Sequence, residues 1–225
     1  MAVKNTIKML AVNAYKYRAR GLFCASILTL TGCGGMQTSG RASVYDFGPG
    51  VRTAQTAQTV PAPILVLADL EATAALDTTA LLYRLDYSDA QQLRPYAQAR
   101  WSMPPAQLLR QRLRETLGQT RTVVGPSEGV GAGSNGLVLR VVLEEFSQVF
   151  ESPTQSQGLL RFRATLSQPV AVPGRGGQEN LLAQRSFVVQ RPSATADAPG
   201  GVRALTAATD DAMAELEQWL AAYRK

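Results

Sequence analysis

Leu137 to Phe150, which reads LVLRVVLEEFSQVF, is the stretch from which the fold can be worked out. In its first half apolar residues occupy both alternating rows, one starting with Leu137 and Leu139 and the other with Val138 and Val142. Strands with apolar side chains on both faces are typical of the middle of a sheet. Because two acids enter after residue 143, we expect a central strand whose far end is more exposed.

Two further strands follow this central one along the chain. Residues 160–166 alternate between apolar and polar side chains, which is typical of a half-buried strand. Residues 181–189 form the next apolar run, and the stretch VPGRGGQE at 172–179 is a predicted turn between them. Three consecutive strands of this kind predict a meander.

Four shorter strands are predicted upstream of the central one. Residues 80–87 (ALLYRLDY) alternate, with Tyr83 and Tyr87 in one row with the leucines. A short partner strand follows, and Pro95 is expected to blunt it. The predicted segments are 44–47, 64–67, 80–87 and 93–96.

A first helix is predicted at residues 102–117. Ser102 is the predicted N-cap, and the two prolines that follow are tolerated in the first turn, where N–H groups have no intrahelical acceptor. Leucines repeat every four residues, the arginines between them are expected to form a solvated face, and Gly118 is expected to end the helix. The leucines are Leu109, Leu113 and Leu117, and the arginines are Arg110, Arg112 and Arg114.

A second, longer helix is predicted at residues 202–223. Apolar and small side chains recur there in alternating steps of three and four, which is typical of an amphipathic helix that covers a sheet. The stripe comprises Val202, Leu205, Thr209, Ala212, Leu216, Trp219 and Tyr223. These elements together predict an α+β fold: a mixed, mostly antiparallel sheet covered by two principal helices, in a single domain at residues 44–225.

The first 32 residues are built like a secretory signal. Their only charges are basic, residues 21–30 form an apolar run, and small residues precede a cysteine. Leu30-Thr31-Gly32-Cys33 resembles the lipobox of bacterial lipoproteins, in which the cysteine is acylated and becomes the N-terminus. We therefore predict a lipoprotein signal peptide at 1–32, lipidation at Cys33 with palmitate-like chains, and a flexible tether at 33–43 that reaches about 15–20 Å.

Two other interpretations of this segment are a transmembrane helix and a plain signal peptide. A transmembrane helix needs roughly 20 apolar residues, and the run here is about half that length. A plain cleaved signal with an incidental cysteine is the second alternative. Both would leave the body without a lipid anchor.

Charge and composition exclude several classes of function. The chain carries a net charge of +6, but five basic residues and no acid lie in residues 1–32, so the remainder has 18 bases against 17 acids and a net charge of +1. A nucleic-acid interface needs a clustered basic footprint, which we do not find. The chain has no histidine, and Cys33 is the only cysteine after the signal. We therefore expect no enzyme, no metal and no cofactor.

Several short motifs follow the lipobox in a distinctive order. They are Tyr45-Asp46-Phe47-Gly48-Pro49, Leu82-Tyr83-Arg84-Leu85-Asp86-Tyr87, Leu93-Arg94-Pro95-Tyr96 with Trp101, Pro104-Pro105 before a leucine helix, and a long strand ending in Glu145-Phe146. This order spans nearly all of the chain after Cys33. It resembles the ABC-type transport auxiliary lipoproteins, the PqiC-like partners of MCE-domain lipid transporters in Gram-negative bacteria.

The resemblance implies a non-enzymatic outer-membrane lipoprotein that faces the periplasm. It would dock the periplasmic MCE-domain protein and, through it, the permease and ATPase of an ABC transporter that moves lipids between the two membranes. Members of such a family can also work as homo-oligomers. Gly34 follows the lipidated cysteine in place of aspartate, which resembles lipoproteins exported to the outer membrane. The alternative function is an accessory lipoprotein of outer-membrane assembly or cell-wall synthesis.

Three aromatic residues are the candidate docking site for the partner: Tyr87, Tyr96 and Trp101. Exposed tyrosine and tryptophan are favoured anchors of protein interfaces. The other interpretation is that these rings, with Tyr83, pack the helices onto the sheet, which alternation alone would explain for Tyr83 and Tyr87.

Overall fold

The computed structural model describes residues 41–50, 62–128, 136–172 and 175–223. The predicted signal peptide, the lipidation site Cys33 and most of the predicted tether lie outside these residues, so they remain predictions. Residues 51–61 and 129–135 lie outside them as well. From Arg41 onward the chain forms one compact unit, Arg41–Lys225.

In the described part of the chain nine strands form one mixed sheet. Two helices pack with this sheet around a shared hydrophobic core. The strands are β1 (Ser43–Tyr45), β2 (Leu65–Leu67), β3 (Glu71–Ala72), β4 (Ala80–Leu85), β5 (Asp89–Trp101), β6 (Val123–Val124), β7 (Leu137–Ser152), β8 (Gln155–Val172) and β9 (Arg175–Pro192). The helices are α1 (Pro105–Leu117) and α2 (Ala198–Ala221). This architecture confirms the predicted α+β fold.

Strand β7 is the centre of the sheet. One of its edges pairs with β8 in antiparallel register, from Val138↔Ser167 to Ser152↔Gln155. Its other edge is shared by three short parallel strands in succession, β2, β3 and β4. Antiparallel pairing of β8 with β9 completes the predicted meander. The central position of Leu137–Phe150 is therefore confirmed, and the long pairs are the antiparallel ones.

The predicted exposure of the far end of β7 is wrong. Every side chain from Glu145 to Phe150 is buried. A register shift between Leu143 and Glu145 adds one residue to β7 relative to β8. Such a bulge re-aims the side chains that follow it. As a result Phe146 lies on the same face as Leu143, whereas strict alternation placed the two on opposite faces.

Strand β5 is 13 residues long and extends far beyond the predicted short strand at 93–96. It pairs with β4 through Leu82↔Pro95 and Tyr83↔Arg94, and register shifts on both sides leave extra residues of β5 outside the ladder. On its other edge only the last three residues, opposite β1, are paired among the described strands. Pro95 is tolerated there because a strand edge without a partner needs no N–H donor.

Strands β8 and β9 extend into the predicted turn at 172–179. Strand β8 continues to Val172 and β9 begins at Arg175, so each strand has 18 residues. Helix α2 packs on the face that carries Phe162 and Phe187. Its predicted stripe is buried from Val202 to Leu216, which confirms the amphipathic pattern.

Helix α2 approaches the sheet most closely at two glycines. A Cβ atom on Gly158 of β8 would lie 2.7 Å from the backbone nitrogen of Leu205. A Cβ atom on Gly201 would lie 2.1 Å from Oε1 of Gln148. Any larger side chain at Gly158 would push the helix away from the strand, because the obstacle is backbone.

Helix α1 confirms the predicted leucine stripe but not its cap. Leu109, Leu113 and Leu117 are fully buried. The N-cap is Pro104 rather than Ser102, and no side chain caps the helix. Gly118 is the C-cap, as predicted, in a right-handed conformation.

The expectation that the arginines of α1 form a solvated face is wrong for Arg112, which is 5% exposed. Its Nη2 donates hydrogen bonds to the backbone oxygens of Phe47 (2.7 Å) and Gly48 (3.3 Å). Its Nε lies 3.4 Å from Oδ1 of Asp210 in α2. Burial raises the pKa of Asp210, and the Arg112 charge opposes that shift. Arg112 therefore joins the segment after β1 to both helices.

Asp197 caps α2, and its replacement gives a first testable prediction. Its Oδ1 accepts hydrogen bonds from the Thr195 hydroxyl (2.6 Å) and from the Gly200 N–H (2.8 Å), and these contacts hold the pKa of Asp197 below its ordinary value. We expect Asp197→Ala to lower the free energy of unfolding by about 1 kcal/mol at neutral pH, whereas Asp197→Asn, which keeps a capping oxygen but not the charge, should lose only part of this. Urea denaturation of both variants would measure the difference.

The pH dependence of this contribution provides the control. A carboxylate whose pKa is depressed in the folded state stabilises the fold above its unfolded pKa, and that stability is lost as the pH falls through the folded pKa. The difference in the free energy of unfolding between wild type and Asp197→Ala should therefore become smaller in acid. An equal gap at neutral and acidic pH would contradict the role of the ionised cap.

Candidate functional site

Trp101 ends strand β5 and lies in the core. It is 1% exposed. Its ring centroid lies 5.6 Å from that of Phe47, in an edge-to-face arrangement, and 5.5 Å from that of Phe146. The prediction that Trp101 belongs to a docking surface is therefore corrected, because a side chain enclosed by other rings cannot reach a partner. It joins β1, β5 and β7 instead.

Tyr96 is half-buried and takes part in a polar chain inside the fold. Its ring lies 4.7 Å from that of Tyr83. Its hydroxyl donates to Oε1 of Gln148 (2.8 Å), and Nε2 of Gln148 donates to the hydroxyl of Ser156 (2.7 Å). Burial, and then the neighbouring Tyr83, raise the pKa of the Tyr96 phenol well above its ordinary value. The phenol thus stays a neutral donor, and its contacts fit the packing interpretation better than docking.

Tyr87 is the candidate that remains open to solvent. It lies in the turn between β4 and β5 and is 49% exposed, and among the described residues it is the one aromatic side chain in the exposed class. The backbone of this turn is held firmly: the Asp86 N–H donates to the Phe150 oxygen (2.9 Å), and the Ser88 N–H donates to the Leu85 oxygen (2.9 Å). Its neighbours Asp86, Ser88 and Asp89 are exposed. An aromatic side chain with a polar rim on a fixed turn has the make-up of an interface anchor.

A partly buried ion pair supports the base of this hairpin, and sequence reasoning did not find it. Arg84 of β4 donates from Nε and Nη2 to the two carboxylate oxygens of Glu145 in β7, at 3.3 and 3.0 Å. The Ser147 hydroxyl donates to the same carboxylate (2.6 Å). Nη1 of Arg84 donates to the backbone oxygens of Ala90 and Gln91. The network ties the first residues of β5 to the central strand.

The described residues meet neither the requirements of a metal site with three or more ligands nor those of a membrane-spanning helix. They contain no group of three or more His, Cys, Asp and Glu side chains placed to hold a metal ion. Nor does any helix in the described ranges have the length and apolar character needed to cross a bilayer. The arrangement is one of packed rings, paired charges and an exposed aromatic turn, which suits contact with another molecule.

Comparison with known proteins identifies the family. A family model described as the ABC-type transport auxiliary lipoprotein component matches residues 45–217. The chain belongs to this family. It is therefore an auxiliary lipoprotein component of ABC-type transport, and such a protein is anchored to a membrane. The matched range runs from the end of β1 into α2, so it includes the Tyr87 turn and excludes Cys33.

Solved structures share the fold of this auxiliary lipoprotein. The protein XCC0632 from Xanthomonas campestris, assigned to the family model DUF330, is 20% identical, with a TM-score of 0.62 over 79% of this chain and 94% of that protein. A second crystal structure, of an uncharacterized protein, is 16% identical, with a TM-score of 0.56 over 80% of this chain and 99% of that protein. No curated protein matches the chain in sequence.

Proposed function

We propose that this auxiliary lipoprotein is anchored to the outer membrane, faces the periplasm and docks the MCE-domain component of an ABC transporter that moves lipids between the inner and outer membranes. The permease and the ATPase are separate chains that it reaches through the MCE-domain protein. The family membership supports the transport role, and the resemblance of the motif order supports the MCE-type partner. The protein itself performs no catalysis in this proposal, in keeping with the lack of histidine.

The position of the anchor follows from Cys33 and its neighbours. The Leu30-Thr31-Gly32-Cys33 sequence favours acylation, and Gly34 favours export to the outer membrane. The chain after the signal carries a net charge of only +1, from 18 basic and 17 acidic residues. So small a charge provides no general attraction to an anionic membrane. The attached lipid would therefore determine where the body is found.

The exposed ring of Tyr87 is the observation that carries the docking proposal. Of the three candidate docking residues, only Tyr87 combines exposure with a backbone fixed by hydrogen bonds to β7. A rigid turn loses little conformational entropy when it binds, so the ring can contribute most of its contact energy to affinity. The hairpin turn is thus the proposed contact with the MCE-domain protein.

A pair of Tyr87 variants tests this function. We expect Tyr87→Ala to weaken binding of the MCE-domain partner by about 2 kcal/mol or more, which is roughly 30-fold in Kd, while Tyr87→Phe keeps most of the affinity. Binding of the purified periplasmic regions would be measured by calorimetry, next to thermal melts of each variant. Equal melts show that the loss belongs to the interface.

Two outcomes would overturn the proposal. If the wild-type protein binds no MCE-domain protein from its own cells, the docking function is wrong, and cell-wall or outer-membrane assembly proteins become the partners to test. If it binds one but Tyr87→Ala binds equally well, the function stands and the Tyr87 contact is wrong.

A further inference from the structure

Strand β9 leaves one long edge of the sheet without a partner. It pairs with β8 from Gln157↔Pro192 to Val172↔Arg175, and no other described strand pairs with it. From Pro192 back to Ala183 the register with β8 has no shift. A regular edge presents a row of N–H and C=O groups that another extended chain can pair with.

The other long edge of the sheet shows how this protein blunts an edge. Along β5 the part not covered by β1 contains Pro95 and two register shifts, both of which hinder pairing with another strand. In β9 a proline occurs only at the last residue, Pro192, and the stretch before it is regular. The β5 edge thus carries features that hinder pairing with another strand, and the β9 edge does not.

The β9 edge also carries exposed apolar side chains and a basic side chain. Six large apolar residues are classed as exposed in the described part of the chain, and Leu181 (61%) and Val188 (58%) on β9 are the two most exposed. Arg185 lies with its guanidinium 4.7 Å from the ring centroid of Phe187. None of the ion pairs found among the described residues includes Arg185.

We infer that the β9 edge accepts an extended segment of the MCE-domain partner as an additional strand, with an acidic side chain beside Arg185 and apolar side chains beside Val188. This inference rests on the proposed function and specifies the partner segment. A row of alternating backbone donors and acceptors is satisfied along its whole length only by another extended backbone, which makes a strand the occupant. Arg185 stacks on Phe187 and has no acid in the ion pairs of the described residues, so its charge favours an acid in the partner, and the exposed Val188 favours apolar neighbours.

The two faces of the added strand would meet different surroundings. Val188 and Ser186 point away from α2, whereas Arg185 and Phe187 lie on the face that α2 covers. Trp219 of α2, half-buried, stands 6.0 Å from the Phe187 ring. The acid of the partner strand would therefore lie on the α2 side, and its apolar residues on the open side, because side chains alternate between the faces of a sheet.

Amide hydrogen exchange of the full-length lipidated protein, with and without the MCE-domain protein, tests the inference directly. We expect the alternate amides of residues 183–191 that face the open edge, and not β8, to exchange at least about tenfold more slowly in the complex, while those of β5 at residues 89–98 are unchanged, since new ladder hydrogen bonds protect only the paired edge. Val188→Lys should weaken the complex about tenfold, because lysine on an edge strand opposes pairing. Arg185→Glu should weaken it as well.

Val170→Lys is the matched control, because Val170 is an exposed valine (43%) on β8 that pairs with Gln178, outside the stretch of β9 at residues 183–191 where the partner strand is expected. It should leave binding unchanged. If the partner binds while the β9 amides stay unprotected, or while Val188→Lys and Val170→Lys behave alike, the inference is overturned and the docking function stands. Protection of β9 in the absence of the partner, with a doubled mass in solution, would make a second copy the occupant and also overturn it. If no MCE-domain protein binds, both proposals fall.

Discussion

Replacing Trp101 with alanine is expected to lower the free energy of unfolding by about 3–5 kcal/mol. The indole is 1% exposed and contacts the rings of Phe47 and Phe146. Its loss removes apolar contact area and leaves a cavity where β1, β5 and β7 meet, in a core that cannot fully collapse around it. Urea denaturation followed by far-UV circular dichroism would measure the change, with Trp219 as an unaffected fluorescent probe.

The matched control is Tyr87→Ala, which removes an aromatic side chain from the surface. Its free energy of unfolding should stay within about 0.5 kcal/mol of wild type, as is usual for exposed positions. The two variants thereby separate packing from docking: Trp101→Ala should lose stability, and Tyr87→Ala should lose partner binding. A Trp101→Ala protein that unfolds at the wild-type urea concentration would show that the ring is not part of the core.

Replacing Cys33 with alanine is expected to release the protein from the membrane entirely. Each buried CH₂ of an attached acyl chain contributes about 0.8 kcal/mol to membrane binding, and stable anchoring takes two such chains or an equivalent second signal. Without a lipid, a body with a net charge of +1 has no comparable attraction to the bilayer. Metabolic labelling with a fatty-acid analogue and fractionation of membranes would show the change, and the melting temperature of the body should not move.

Cys24 provides the control for this experiment. It lies within the predicted signal peptide, before the cleavage point, so Cys24→Ala should be labelled and retained like wild type. A Cys33→Ala protein that still carries the label would show that the lipobox assignment is wrong. Fractionation into inner and outer membranes would at the same time test the location that Gly34 suggests.

Periodic patterns predicted the long regular elements well. The α2 stripe, the leucines of α1 and the β7–β8–β9 meander were all readable, because each buries one continuous face and the spacing of apolar residues records that face. The family model matches residues 45–217, a range that contains all of these elements except the end of α2.

Irregular pairing is what the sequence pattern could not show. The bulge at Glu144 reverses the alternation of β7, and two register shifts hide the full length of β5. Both depend on which strand lies alongside, and that choice is made by contacts far away in the chain. Neither feature can be recognised from the pattern of ten consecutive residues.

For a related reason the sequence could not show which of the three candidate docking residues are exposed. Alternation places Tyr87 in a row of apolar residues, but it does not tell which members of a row lie under another element. Buried charges are equally hard to foresee: Arg112 reaches a carbonyl 65 residues away and Arg84 a carboxylate 61 residues away. Charged side chains in a strand or helix are normally solvated, so a local pattern assigns them to the surface.

The direction of β1 has a mechanical consequence for a protein tied to a membrane. β1 runs parallel to the end of β5, with Ser43 opposite Ala99 and Tyr45 opposite Trp101, so it is the first strand of the body that tension from a lipid at Cys33 would reach, and a pull along the strand axis would load the whole pair. Force applied in this way shears the backbone hydrogen bonds of the pair together, whereas a perpendicular pull would open them one at a time. Directly after β1, the hydrogen bonds from Arg112 to the backbone oxygens of Phe47 and Gly48 resist the same displacement. Rupture under force is governed by the unfolding rate rather than by equilibrium stability. If the lipid is attached at Cys33 as predicted, β1 and Arg112 would be the first contacts of the described body to resist a pull from the membrane.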